Sequence, residues 1–239
     1  MADFFSDLLD GFLEPSFLQG VRNKFHYGET QNEEFQAVAE EMLPLMRKEA
    51  YWERSISCLQ STSGGSAETE AAQAQRRCKA YEDVVMTLGA GIDSLQDRYS
   101  SQGMMSRSYM LEVLASEFLL QGYGAYNRYI ESHTDMHVAR YYFLGSEGSF
   151  PLNELPHLLD KMGGQIICNE AFCMLPRKSV AFVAELTRDE KVRCGGICAG
   201  CGSLHCPNRV AENHPERRLM VRKADLPLTY GYSRIFGKV

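Results

Sequence analysis

NEAFCMLPRKSVAF, residues 169–182, is the stretch whose reading decides the fold. Two apolar runs meet in it, QIICNEAFCML (165–175) and SVAFVAEL (179–186), and both read as strands. Pro176-Arg177-Lys178 separates them as a turn. A lone acid, Glu170, stands among apolar neighbours at the end of the first run. A buried carboxylate is costly unless a cation or hydrogen-bond donors meet it. Glu170 therefore either pairs with Arg177 or Lys178, or holds a cationic ligand.

The flanking sequence supplies the other elements. HVARYYFL (137–144) reads as a strand and GSEGS as a tight loop. PLNELPHLLDKMGG (151–164) reads as a short helix, opened by Pro151 and closed by Gly163-Gly164. DVVMTLG (83–89) is a buried strand ending at Gly89, with a helix over about 91–99. Residues 31–50 place Phe35, Val38, Ala39, Met42, Leu45 and Met46 at helical spacing, with Pro44 expected to kink the helix or end its first segment. The stretch 106–131 is one long helix or two. The loop over 60–70 runs into a helix continued by AAQAQRRCKAY. Helices alternating with isolated strands give a mixed α/β or α+β domain, with strand order open.

Two further features could carry chemistry. TLGAGIDSL (87–95) is a strand, two glycines and a helix start, a pattern able to cradle an anion. It is too loose for a dinucleotide fingerprint, and a plain strand–turn–helix is expected. CGGICAGCGSLHCPNR (194–209) brings Cys194, Cys198, Cys201 and Cys206 together. Four thiolates can complete a tetrahedral zinc site or hold an iron–sulfur cluster. The spacing does not separate the two metals, and reduced structural thiols remain an alternative. His205 could replace one thiolate.

Composition narrows the classes. The chain has 239 residues, eight cysteines and a net charge of −6, which argues against a nucleic-acid binder. Residues 207–239 carry seven Lys/Arg against three Asp/Glu, a basic tail on an acidic chain. MADFFSDLLDGFLEP has four acids and no Lys or Arg, unlike a secretory signal, and no apolar run is long enough to span a membrane. A cytoplasmic setting with reduced thiols is expected. P-loop, G-x-S-x-G and H-E-x-x-H motifs are missing from the sequence.

Four segments, in order, resemble the activation (reactivation) domain of cobalamin-dependent methionine synthase, and above all its stand-alone bacterial relatives. They are GVRNKFHYGETQNEEF (20–35), VVMTLGAGIDSL (84–95), FLGSEGSFPLNELPHLL (143–159) and NEAFCMLPRKSV (169–180). The last is similar to the family's E-S-x-M-x-P-x-x-S-V segment, and the CPNR ending resembles that of short stand-alone members. The likeness covers roughly residues 18–210.

The resemblance implies an α+β fold: a mixed, largely antiparallel sheet with flanking helices, opened by a strand–turn–helix. It implies an activation-like domain over 1–190, with a cysteine-rich loop and basic tail over 191–239 packed on it. It implies reactivation of a corrinoid-binding methionine synthase or methyltransferase chain, with S-adenosylmethionine as methyl donor and a flavodoxin-type or ferredoxin-type electron donor. The cobalamin would come with the partner. Glu170 matches the family's ligand-binding glutamate, with Arg140, Gly145, Gly148 and Arg177 as further cofactor-binding candidates. Phe172 and Met174 would keep water out. Tyr142 stands where the family has an arginine, Ser146-Glu147 where it has Gly-Tyr, and Arg140 lies two residues early, expected on the opposite strand face. An alternative follows: a corrinoid-protein binding or electron-transfer module with a zinc or iron–sulfur site and no S-adenosylmethionine.

Overall fold

A computed structural model of the chain describes residues 4–60, 79–146 and 150–192, with Cys194 and Ile197. The architecture is α+β. The helices are α1 (Phe4–Asp10), α2 (Pro15–Lys24), α3 (Asn32–Glu49), α4 (Ala90–Ser101), α5 (Met105–His133) and α6 (Leu155–Lys161). The strands are β1 (Tyr51–Gln60), β2 (Lys79–Thr87), β3 (His137–Tyr142), β4 (Ile167–Cys168), β5 (Met174–Leu175) and β6 (Ser179–Thr187). Four strands form one sheet in the order β1-β2-β6-β3, and β4 and β5 form a separate pair. β3 runs antiparallel to β6, from His137 opposite Thr187 to Tyr142 opposite Val183, with a register shift between Val138 and Arg140. The end of β2 meets the start of β6, because the Leu88 amide donates to the Lys178 carbonyl at 2.9 Å, so these two are also antiparallel. No helix among the described residues is long and apolar enough to cross a membrane.

The chain divides into two compact units of three segments each. The first takes Met1–Glu53, Val85–Tyr129 and Leu159–Val180. Its core is aromatic: Phe4 meets Trp52 and Tyr129, while Phe5 and Phe12 each set an edge against Phe118. Each fully buried phenylalanine adds roughly 1.5–3 kcal/mol. α3 lies against α4, with Met42, Met46 and Ile92 fully buried. The second unit takes Arg54–Val84, Ile130–Leu158 and Ala181–Val239. There Tyr141 sets an edge on Phe182, and Tyr142 stacks on Phe150 with ring centroids 4.4 Å apart.

Several local expectations are corrected. The opening of the family-like region is helical, not a strand: Pro15 starts α2, and Phe17, Leu18 and Val21 bury its inner face. Pro44 does not end α3, which runs unbroken to Glu49, because Met42 and Met46 on either side are fully buried. Lys79-Ala80-Tyr81, read as the end of a helix, belong to β2, where Ala80 and Tyr81 are buried; residues 61–78 lie outside the described part. The stretch 106–131 is a single helix. Residues 165–175 are not one strand but a hairpin, since Asn169 turns the chain back on itself.

Candidate functional site

The first unit presents Glu170 on that hairpin. Ile167 pairs with Leu175, and Cys168 with Met174. The Asn169 side-chain carbonyl accepts the amides of Ala171 and Cys173, both at 3.0 Å, and the Asn169 amide donates to the Cys173 carbonyl at 3.1 Å. Phe172 is held at φ +59, a left-handed conformation that costs a bulky residue about 1–3 kcal/mol. Glu170 sits at the exposed tip, while Phe172 and Met174 are half-buried.

The two cations expected beside Glu170 are committed elsewhere. The Arg177 amide donates to Asp93 Oδ2 at 2.7 Å, and its guanidinium donates to the Asp93 carbonyl at 3.0 Å and to Asp97 Oδ1 at 2.6 Å. Those contacts, the Asp97 hydrogen bond first, raise the Arg177 pKa further. The Lys178 ammonium, largely buried, donates to Glu112, which also accepts from Gln96 Nε2 at 3.0 Å. Partial burial pushes the Glu112 carboxyl up, but hydrogen bonds from Lys178 and Gln96 and the Lys178 charge hold it below its ordinary value. Glu170 thus escapes the ion pair with Arg177 or Lys178, and it is not the buried carboxylate the apolar run suggested.

The TLGAGIDSL segment is joined to the same turn. The Thr87 and Ser179 hydroxyls are hydrogen-bonded at 2.7 Å, both residues buried. Gly89 adopts φ +87 at the start of α4, and a Cβ there would lie 2.3 Å from Glu49 Cβ. Glu49 Oε2 accepts the Gly91 amide at 2.7 Å. A carboxylate from α3 therefore already caps this helix start, and the segment is the plain strand–turn–helix. Sequence reasoning passed over Glu49. Its signal was an acid in the last turn of a helix, where the helix dipole favours cations.

The second unit holds Arg140 and Gly145. The Tyr142 hydroxyl donates to Glu185 Oε2 at 2.6 Å, with both residues buried. Burial, then the adjacent Glu185 charge, pushes the Tyr142 phenol far above its ordinary value. The Arg140 guanidinium lies 4.8 Å from the Tyr142 ring centroid. The two therefore share a face, as residues two apart on a strand must, which corrects the expected opposite face. Gly145, at φ +86, donates its amide to the Phe150 carbonyl at 2.7 Å. Glu185 was missed, although a lone acid inside SVAFVAEL was its signal. Buried Glu82, paired with Arg54 at 2.9 Å, is a second such acid.

Cys194 is half-buried, and its amide donates to the Val138 carbonyl at 2.9 Å. Gly148, Cys198, Cys201, His205 and Cys206 lie outside the described residues, as does the tail from 198 onward. Among the described residues no group of three or more His, Cys, Asp or Glu is placed to hold a metal ion. No protein-family model matches the chain, and no curated protein shows significant similarity to it.

Proposed function

We propose that this chain is a cytoplasmic reactivation partner of a corrinoid protein. In this role it supports reductive methylation of cob(II)alamin with S-adenosylmethionine on a separate methionine synthase or methyltransferase chain. The observation that carries the proposal is the exposed Glu170 carboxylate, presented on a hairpin whose neighbouring cations are taken by Asp93, Asp97 and Glu112. A sulfonium cation reaching the tip meets a carboxylate that Arg177 and Lys178 do not neutralise. The order of the four family-like segments supports the same reading. S-adenosylmethionine would supply the methyl group, a flavodoxin-type or ferredoxin-type protein the electron, and the partner the corrinoid. The chain's own part is to hold the cation and, with Phe172 and Met174, to exclude water.

Isothermal titration tests this with S-adenosylmethionine alone and with a corrinoid partner present. Stoichiometric binding, weakened at least about ten-fold by Glu170→Gln, is the expected result. No binding in either setting rejects it.

One observation favours a second reading, a corrinoid-protein binding or electron-transfer module without S-adenosylmethionine. The position of the family's arginine is filled by Tyr142, buried and bonded to Glu185, with Arg140 laid over its ring. These residues do not fit a grip on the carboxylate of S-adenosylmethionine. The cysteine loop would then carry the redox or metal function. Protein purified without oxygen should be brown with broad visible absorption. A colourless protein with stoichiometric zinc rejects the electron-transfer version.

A further inference from the structure

One residue, Asn169, ties the tip of the β4–β5 hairpin together. Its side-chain Oδ1 accepts the amides of Ala171 and Cys173, both at 3.0 Å. Its backbone amide donates to the Cys173 carbonyl at 3.1 Å, and its carbonyl accepts the Phe172 amide at 2.9 Å. Both groups that reach the side chain are N–H donors, so the atom they meet is the oxygen. These contacts bracket Phe172, at φ +59, on both sides. A bulky residue keeps so strained a conformation only where its surroundings over-determine it, and here Asn169 does so. They bracket Glu170 as well, which stands between Asn169 and the bonded Ala171 amide. The backbone therefore fixes the direction in which the Glu170 side chain leaves the chain. Asn169, Glu170, Ala171 and Cys173 are all exposed, so core packing does not stand in for these hydrogen bonds.

We infer that Asn169 is the positioning residue for Glu170: it orders the loop 170–173, so that a cation meets a carboxylate already in place. The inference deepens the reading of Glu170 as the holder of a cationic ligand, and rests on it. A loop ordered before binding loses less freedom when the ligand arrives, so binding is tighter. The same capture keeps the amides of Ala171 and Cys173 from turning onto the Glu170 carboxylate and satisfying it in the ligand's place.

Two measurements on the full chain test this: hydrogen exchange at the Ala171 and Cys173 amides without ligand, and titration with S-adenosylmethionine with and without a corrinoid partner. Asn169→Ala removes the side-chain acceptor, and Asn169→Asp keeps an oxygen there. In Asn169→Ala both amides should exchange at least about ten-fold faster, and binding should weaken about ten-fold although Glu170 is intact. Asn169→Asp should exchange like wild type and bind at least as tightly. In a Glu170→Gln background, Asn169→Ala should weaken binding further by less than about two-fold, because the two residues act as one unit. Unchanged exchange in Asn169→Ala overturns the inference. So does unchanged binding by that variant, an equal loss of binding in Asn169→Asp, or a full further loss on top of Glu170→Gln. A wild type that binds no S-adenosylmethionine in either setting rejects the proposed function, and exchange then decides alone. Protection in wild type and Asn169→Asp but not in Asn169→Ala retains Asn169 as the residue that positions Glu170; equal rates in all three overturn it.

Discussion

The hydroxyls of Ser179 and Thr87 lie 2.7 Å apart, joining two segments that are 92 residues apart in the chain. Ser179 also donates to the Pro176 carbonyl at 2.6 Å, and Thr87 Oγ1 accepts the Gly89 amide at 3.2 Å. The turn that carries Arg177 and Lys178 is therefore held to the start of α4 through buried polar contacts. Ser179→Ala should leave buried partners unsatisfied and cost about 1–3 kcal/mol. Urea unfolding checks this, with a lowered midpoint and an unchanged slope.

Glu49 and Gly89 make a steric prediction. Gly89→Ala forces a side chain into φ +87, with its Cβ 2.3 Å from Glu49 Cβ. Strain and overlap together should cost about 2–4 kcal/mol. Glu49→Ala removes the cap on the Gly91 amide and should cost about 0.5–2 kcal/mol. Thermal melts of both variants give the order.

Glu112 gives a pH dependence. Its pKa lies below the ordinary 4.5, because the Lys178 and Gln96 contacts outweigh partial burial. A depressed carboxylate adds stability above its unfolded pKa and loses it as pH falls through the folded one. Wild type should lose this contribution as pH drops below about 4.5, and Lys178→Met should lose less over the same window. Urea midpoints at about pH 7 and about pH 3 for both proteins check the sign.

Tyr142→Phe should be destabilising despite its small change in volume. It leaves buried Glu185 without the hydroxyl that donates to it at 2.6 Å, a loss of about 1–3 kcal/mol. Glu170→Gln, at an exposed tip, should change stability by less than about 0.5 kcal/mol while weakening the binding of S-adenosylmethionine. Parallel denaturation and titration separate these two behaviours.

The α+β class and most elements were legible in the sequence. The 3.6-residue spacing of Phe35, Val38, Ala39, Met42 and Met46 marks α3, and the β-branched runs mark β2 and β6. These signals are local, since burying one face demands them of the residues themselves. What misled was also local. QIICNEAFCML has the apolar content of a strand, yet the Asn169 side chain captures two amides and turns it into a hairpin. Only tertiary structure decided the partners: Arg177 with Asp97 across 80 residues, Lys178 with Glu112 across 66, and Glu49 at the Gly91 amide across 42. Spacing along the chain carries no record of which distant charges will meet, because that follows from how the strands order and the helices pack. This is why Glu170 could be singled out from the sequence, while its freedom from both neighbouring cations emerged only once the chain was folded.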